Sequence, residues 1–246
     1  MTCCASATGW PRRVPAALFL LCFGCGGGRV TGRVTRLHAA GLLPLFLVPV
    51  ASTAAPAHSA ADTGAAAFLA ALAQHCGQAF AGRVVANQPA SATPDPFEGK
   101  ALVMHVRGCD APDQELRVPF HVGQDRSRTW VLTRIGDQLR LKHDHRHADG
   151  SPDEVTLYGG DTQDAGTALR QQFPVDAESV AMFERKGMAG SVRNTWAMEV
   201  EPGRRFLYEL SRPDGRLFQV EFDLAHPIPA PPAPWGADAA ATEKGA

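Results

Sequence analysis

Polar and apolar residues alternate along much of this chain, most clearly from Leu139 to His147, which reads L-R-L-K-H-D-H-R-H. Strand side chains point to opposite faces with period two. Leu139, Leu141, His143, His145 and His147 therefore share one face, and Arg140, Lys142, Asp144 and Arg146 share the other. Leucines mark the face that turns inward, so the histidines are expected on the core side. The same reading makes strands of Phe80–Asn87, Ala101–Arg107, Leu116–Val122, Thr129–Ile135, Glu154–Tyr158, Thr195–Val200, Arg205–Ser211 and Leu217–Leu224. With turn residues between them, these runs predict a mainly β protein, an antiparallel β-barrel or barrel-like sheet of about eight or nine strands.

Two hairpins can be registered from their turns. Gly136-Asp137 suits a two-residue turn. Counting outward from it sets Leu132 opposite Leu141 and Trp130 opposite His143, so Trp130, Leu132, Leu139, Leu141 and His143 form one inward set, with Arg134 as the exception. Pro213-Asp214-Gly215 closes the second hairpin, between a strand carrying Phe206, Tyr208 and Leu210 and one carrying Phe218, Val220, Phe222 and Leu224. Trp196, Met198 and Val200 add a third apolar stripe.

Helical spacing occurs twice. In Ala65–Gln78, Phe68, Leu69, Leu72 and Cys76 fall on one face, with Asp62 or Thr63 available as a cap. Within the otherwise weakly patterned interval Gly159–Arg193, Ala177–Lys186 reads as a short helix capped by Asp176 and ended by Gly187. That interval, broken by Gly159-Gly160 and Gly166, is expected to form a lid or plug. Gln88–Gly99, with three prolines, reads as a loop.

Composition changes the picture at both ends. Residues 1–57 read as a signal or targeting region: Arg33, Arg36 and His38 precede an apolar run from Ala39 to Val50, and Ala55-Pro56-Ala57 resembles a cleavage site. The run falls short of the roughly 20 residues that span a bilayer. A second such segment, Arg12-Arg13 followed by Val14–Phe23 and Cys25, leaves two readings: a true start near residues 30–34, or a lipid anchor on Cys25. Either predicts export, with no transmembrane segment in the mature chain. Residues 62–224 then form one β-rich domain, and the Pro/Ala-rich tail 225–246 is expected to be disordered.

The five arginines of the leader carry no acidic counterparts, so the remaining chain holds six more carboxylates than basic side chains. An acidic domain without a basic run is not a nucleic-acid binder. Only Cys76 and Cys109 remain outside the leader, and an isolated pair in an oxidising compartment is expected to form a disulfide.

The candidate chemistry centres on histidine. Adjacent same-face residues on a strand lie about 6.6 Å apart, so His143 and His145 could share one zinc or copper ion if His105 or His121 supplied a third ligand. The plainer reading is a row of hydrogen-bonded histidines lining a polar pocket. Trp130, His143, His145, His147 and Tyr158 are the candidate ligand-binding residues. Tyr158-Gly159-Gly160-Asp161 is not a nucleotide-binding fingerprint, and the acidic stretch Asp149–Glu154 lacks calcium-loop spacing and reads as a turn. No serine lies in a G-x-S-x-G elbow.

An export signal, a short helix and an acidic strand-rich domain bearing L-K-H-D-H-R-H, D-G-S-P-D and Y-G-G resemble uncharacterised secreted bacterial proteins over roughly residues 65–224. Strand number and the leading helix are also similar to calycin or lipocalin-type barrels, although Gly82 is followed by Arg83 and Val84 rather than a G-x-W signature. The leading expectation is a periplasmic or secreted binding or accessory protein for a small molecule. The alternatives are a metal-dependent enzyme using His143 and His145 with a carboxylate base, and a structural envelope protein that binds a protein partner.

Overall fold

The computed structural model describes residues 64–90 and 95–237, all within one compact unit. The leader, both of its signal-like segments, Cys25, and the candidate caps Asp62 and Thr63 lie outside the described residues. A short helix, α1 (Ala65–Ala73), precedes ten strands: β1 (Ala79–Gln88), β2 (Leu102–His105), β3 (Glu115–Val122), β4 (Asp125–Ile135), β5 (Gln138–His145), β6 (Tyr158–Asp161), β7 (Arg170–Pro174), β8 (Thr195–Glu201), β9 (Arg205–Ser211) and β10 (Leu217–Ile228). A second helix, α2 (Ala177–Arg185), and a 3₁₀ turn (Ser191–Arg193) lie between β7 and β8.

The strands form one antiparallel sheet in the order β6-β5-β4-β3-β2-β1-β10-β9-β8-β7. Each strand pairs with its sequence neighbours except at β6 and β7, β1 pairs with β10, and the sheet curls until its two edges meet. The result is a nearly closed barrel with a seam between β6 and β7. Across that seam the Asp176 amide donates to the Gly159 carbonyl at 2.9 Å, and the Gly159 amide donates to Ser179 Oγ at 2.8 Å.

Gly160 explains how the seam closes, and Gly159 how closely β6 lies on β5. A Cβ on Gly159 would sit 1.8 Å from the Leu141 carbonyl oxygen, and one on Gly160 would sit 1.8 Å from that of Pro174. Only glycine lets backbone approach backbone this closely. The sequence pattern alone makes this pair a break and sets the strand at Glu154–Tyr158. The structure moves the strand to the glycines, and Leu157, with φ of 55° and half its surface exposed, lies in the preceding loop.

The hairpin register agrees with the sequence: Trp130 faces His143 and Leu132 faces Leu141. All five residues of the inward set are buried. The barrel has two ends of different character. At one, α1 packs on β3, β7 and β8 and buries Phe68, Leu69 and Leu72 beside Phe80, Leu116 and Val200. The helix is tethered there by the Cys76–Cys109 disulfide.

At the other end, α2 is capped by Asp176, whose carboxylate accepts from the Ser179 amide at 2.8 Å, and it buries Phe183. Lys142 on β5 ties this helix down by an ion pair to Asp176 at 2.8 Å. Among the described residues no helix is long and apolar enough to cross a membrane.

Two further expectations differ from the structure. The tenth strand is β7, R-Q-Q-F-P, inside the interval read as least strand-like. The tail read as disordered is instead ordered to Ala237: β10 runs on to Ile228, Arg126 Nη1 donates to the Ala233 carbonyl at 2.8 Å, and the Trp235 amide donates to the Arg126 carbonyl at 3.1 Å. Partners along the outer surface of β4 offset the entropy that proline-rich composition alone leaves uncompensated.

Candidate functional site

Opposite α1, the barrel interior opens as a cavity of about 370 Å³. Its position follows from strand direction. The carboxyl-terminal ends of β5 and β9 and the amino-terminal ends of β4 and β10 meet there, bringing His145, Leu210, Arg128 and Phe218 together. Trp130, Tyr208, Trp196, Tyr158 and Phe183 line the interior. The indole of Trp130 stacks on Tyr208 at 4.6 Å and on Phe120 at 5.0 Å, so the wall is a continuous aromatic surface.

The polar groups in this wall are paired in a definite order. His143 Nδ1 lies 3.2 Å from the Tyr158 carbonyl and its Nε2 lies 2.9 Å from the Tyr208 hydroxyl. A carbonyl can only accept, so Nδ1 carries the proton and Nε2 accepts from Tyr208. The ring also stacks on Tyr158 at 4.7 Å. Burial, reinforced by His145 nearby, drives the His143 pKa down to about 3. It stays neutral at physiological pH.

His145 is half-buried on the same face. The Tyr158 hydroxyl is hydrogen-bonded to His145 Nε2 at 3.1 Å. Burial and the Arg128 charge lower the His145 pKa to about 4. Burial raises Tyr158 to about 12 and holds Tyr208 well above the ordinary tyrosine range. The interior is therefore an uncharged, hydrogen-bonded aromatic box.

Four of the five residues proposed from sequence as ligand-binding line this cavity: Trp130, His143, His145 and Tyr158. His147 does not. Strand β5 ends at His145, and His147 is exposed in the turn that follows, where its amide donates to the Ser151 carbonyl at 2.8 Å. Asp149 shapes that turn by accepting from the Ser151 amide at 2.9 Å and its hydroxyl at 2.6 Å.

The proposed metal ligands are not brought together. Met104 and Phe120 point into the core, so alternation puts His105 and His121 on the outer face of β2 and β3, away from His143 and His145. Both nitrogens of His143 are already committed to protein partners. Among the described residues no group of three or more His, Cys, Asp or Glu side chains is arranged to hold a metal ion. His105 and His121 are buried, and His105 Nδ1 and His121 Nε2 lack a hydrogen-bond partner among the described residues. Burial, then the nearby His105, lowers His121 to about 4.

Several cavity residues were not singled out from sequence. Tyr208 stands between the inward Phe206 and Leu210, and a hydroxyl in an inward stripe needs a partner that an inward histidine can supply. That signal was available. Arg128, Arg212 and Arg216 also reach the cavity, Arg128 because β4 begins at Asp125 rather than Thr129. No protein-family model, curated protein or solved structure matches this chain.

Proposed function

We propose that this chain is an exported binding protein whose small-molecule ligand occupies the aromatic cavity between β4, β5, β8 and β9. The observation that carries the reading is the cavity itself, about 370 Å³ and walled by Trp130, Tyr158, Trp196 and Tyr208, with its polar groups held in fixed neutral pairs. That volume lies in the range of about 300–1,000 Å³ that small-molecule sites occupy, and a few placed polar groups among apolar ones is their usual make-up. The inward histidines have pKa values too low for general-base work near pH 7, which favours binding over proton transfer.

Export is supported by the Cys76–Cys109 disulfide, a bond that persists in oxidising compartments, and by the leader-like composition of residues 1–57. Intact mass of the exported protein would separate cleavage near Ala57 from lipid on Cys25. A partner-binding envelope role has less support, since the two sheet edges, β6 and β7, face each other across the seam.

The test is titration with the neutral fluorophore N-phenylnaphthylamine. One saturable site per chain, lost when Leu210→Phe fills the cavity, supports the reading. Absence of saturable binding, or binding indifferent to Leu210→Phe in a protein that still melts cooperatively, overturns it.

A further inference from the structure

The mouth of the cavity differs chemically from its interior. Three arginines line it, Arg128, Arg212 and Arg216, against one carboxylate, Asp153. This is a local excess of positive charge in a chain whose formal net charge is −1. The three are not equivalent. Arg128 is neutralised by Asp125 at 2.5 Å and lies over the Phe97 ring.

Arg212 donates through Nε to a neutral acceptor, Asn194 Oδ1, at 2.6 Å. Arg216 donates through Nη1 to Asn87 Oδ1 at 2.5 Å and to the Gln88 carbonyl at 3.1 Å, both neutral. Neither is in an ion pair with a carboxylate among the described residues; Asp214, the acidic residue of the turn between them, pairs with Arg193 at 2.8 Å. The two guanidiniums are half-buried, fixed by amide and carbonyl acceptors, and retain N–H groups beyond those bonds.

Holding two like charges close together at the rim of an apolar cavity, with no carboxylate in an ion pair with either, is unfavourable unless something anionic completes the site. Guanidinium groups match the geometry of carboxylate, sulfonate and phosphate oxygens. Resting on the binding reading above, we infer that the ligand is an amphipathic organic anion. Its aromatic or otherwise apolar body fills the box formed by Trp130, Tyr158, Trp196 and Tyr208, and its single compact oxyanion head lies at the mouth against Arg212 and Arg216. The uncharged interior and the cationic rim also orient the ligand, head outward, because the interior offers no group to compensate a buried charge.

Two probes sharing one body test this: anilinonaphthalene sulfonate, which carries an anionic head, and N-phenylnaphthylamine, which lacks it. Charge-assisted hydrogen bonds at a partly exposed rim are expected to make the sulfonate bind about tenfold tighter. The preference should shrink with added salt and collapse in Arg212→Gln/Arg216→Gln. Arg83→Gln, an exposed arginine on the outer face, should retain it. If the double variant fails to melt cooperatively, Arg212→Gln alone should still reduce the preference.

Equal affinities for the two probes would overturn the anion assignment while leaving a binding cavity. A sulfonate preference unchanged by the arginine variants would overturn the placement of the head. Binding of neither probe would overturn this inference together with the reading on which it rests.

Discussion

His143 on β5 and Tyr208 on β9 are joined across the barrel interior by a 2.9 Å hydrogen bond between residues 65 apart in sequence. Neither strand is a neighbour of the other in the sheet, so the bond spans the cavity floor rather than a ladder. Tyr208→Phe keeps the ring that stacks on Trp130 and removes the hydroxyl that donates to His143. It leaves His143 Nε2 buried without a partner, and the expected loss is about 1–3 kcal/mol in denaturant titrations. An unchanged midpoint would show that the bond contributes nothing net.

The buried histidines give a pH dependence with a definite sign. His143 is held down to about 3, and His121 and His145 to about 4, while an unfolded chain titrates them near the ordinary 6.5. Between these limits the unfolded state binds more protons, so stability rises with pH through the window. The contribution is complete above about pH 6.5 and is lost as pH falls toward about 4. Each ring adds a slope of up to about 1.4 kcal/mol per pH unit. Carboxylates with lowered pKa values act mainly below this window, so denaturation between about pH 7 and 5 isolates the histidines. His143→Gln should flatten the slope by about one proton, and a wild-type profile flat across that range would refute the assignment.

The seam between β6 and β7 depends on glycine. Gly160→Ala places a Cβ where the Pro174 carbonyl oxygen now lies, and neither backbone can yield without breaking the Asp176–Gly159 hydrogen bond. A loss of about 2 kcal/mol or more is expected, with faster hydrogen exchange at the Asp176 amide than at amides of β3 and β4. Exchange that accelerates uniformly would indicate global destabilisation rather than an opened seam.

Removing the tether has a different signature. The Cys76–Cys109 disulfide closes a loop with a sequence separation of 33. Cys76→Ser/Cys109→Ser is expected to lower stability by about 3–4 kcal/mol, chiefly by freeing the unfolded chain. Spectra of the folded variant should be those of the wild type, because Phe68 and Leu72 still anchor α1. Loss of α1 helicity in the folded state would show that the bond holds the helix rather than constraining the loop.

Much of this arrangement is legible in the sequence because it rests on period-two alternation and on turns. The Gly136-Asp137 turn sets the β4–β5 register, and with it the meeting of Trp130 and His143. Asp176 and Gly187 bracket α2 for the same local reason. Strand β7 escapes such a reading because its inward residues are Phe173 and Gln171. Gln171 is a buried amide whose Nε2 donates to the Ala165 and Thr167 carbonyls, which makes the inward face polar in sequence.

The glycines of β6 mislead in the opposite way. Local propensity marks them as a break, whereas close backbone contacts require them, Gly159 against Leu141 of β5 and Gly160 against Pro174 across the seam. His147 fails because alternation continues in sequence beyond the residue where pairing stops. Arg212 and Arg216 look like any solvated pair around a turn, and only closure of the barrel brings them to the rim of a cavity.

If the space beside Trp130 is a ligand site, the indole N–H resonances report its occupation. Trp130 and Trp196 line the cavity, while Trp235 lies in the tail on the outside of the barrel and serves as an internal reference. In a ¹⁵N correlation spectrum titrated with N-phenylnaphthylamine, the Trp130 and Trp196 indole signals should shift together and saturate, and Trp235 should stay in place. Saturable shifts confined to Trp235, or none at all, would show that the cavity is not a ligand site.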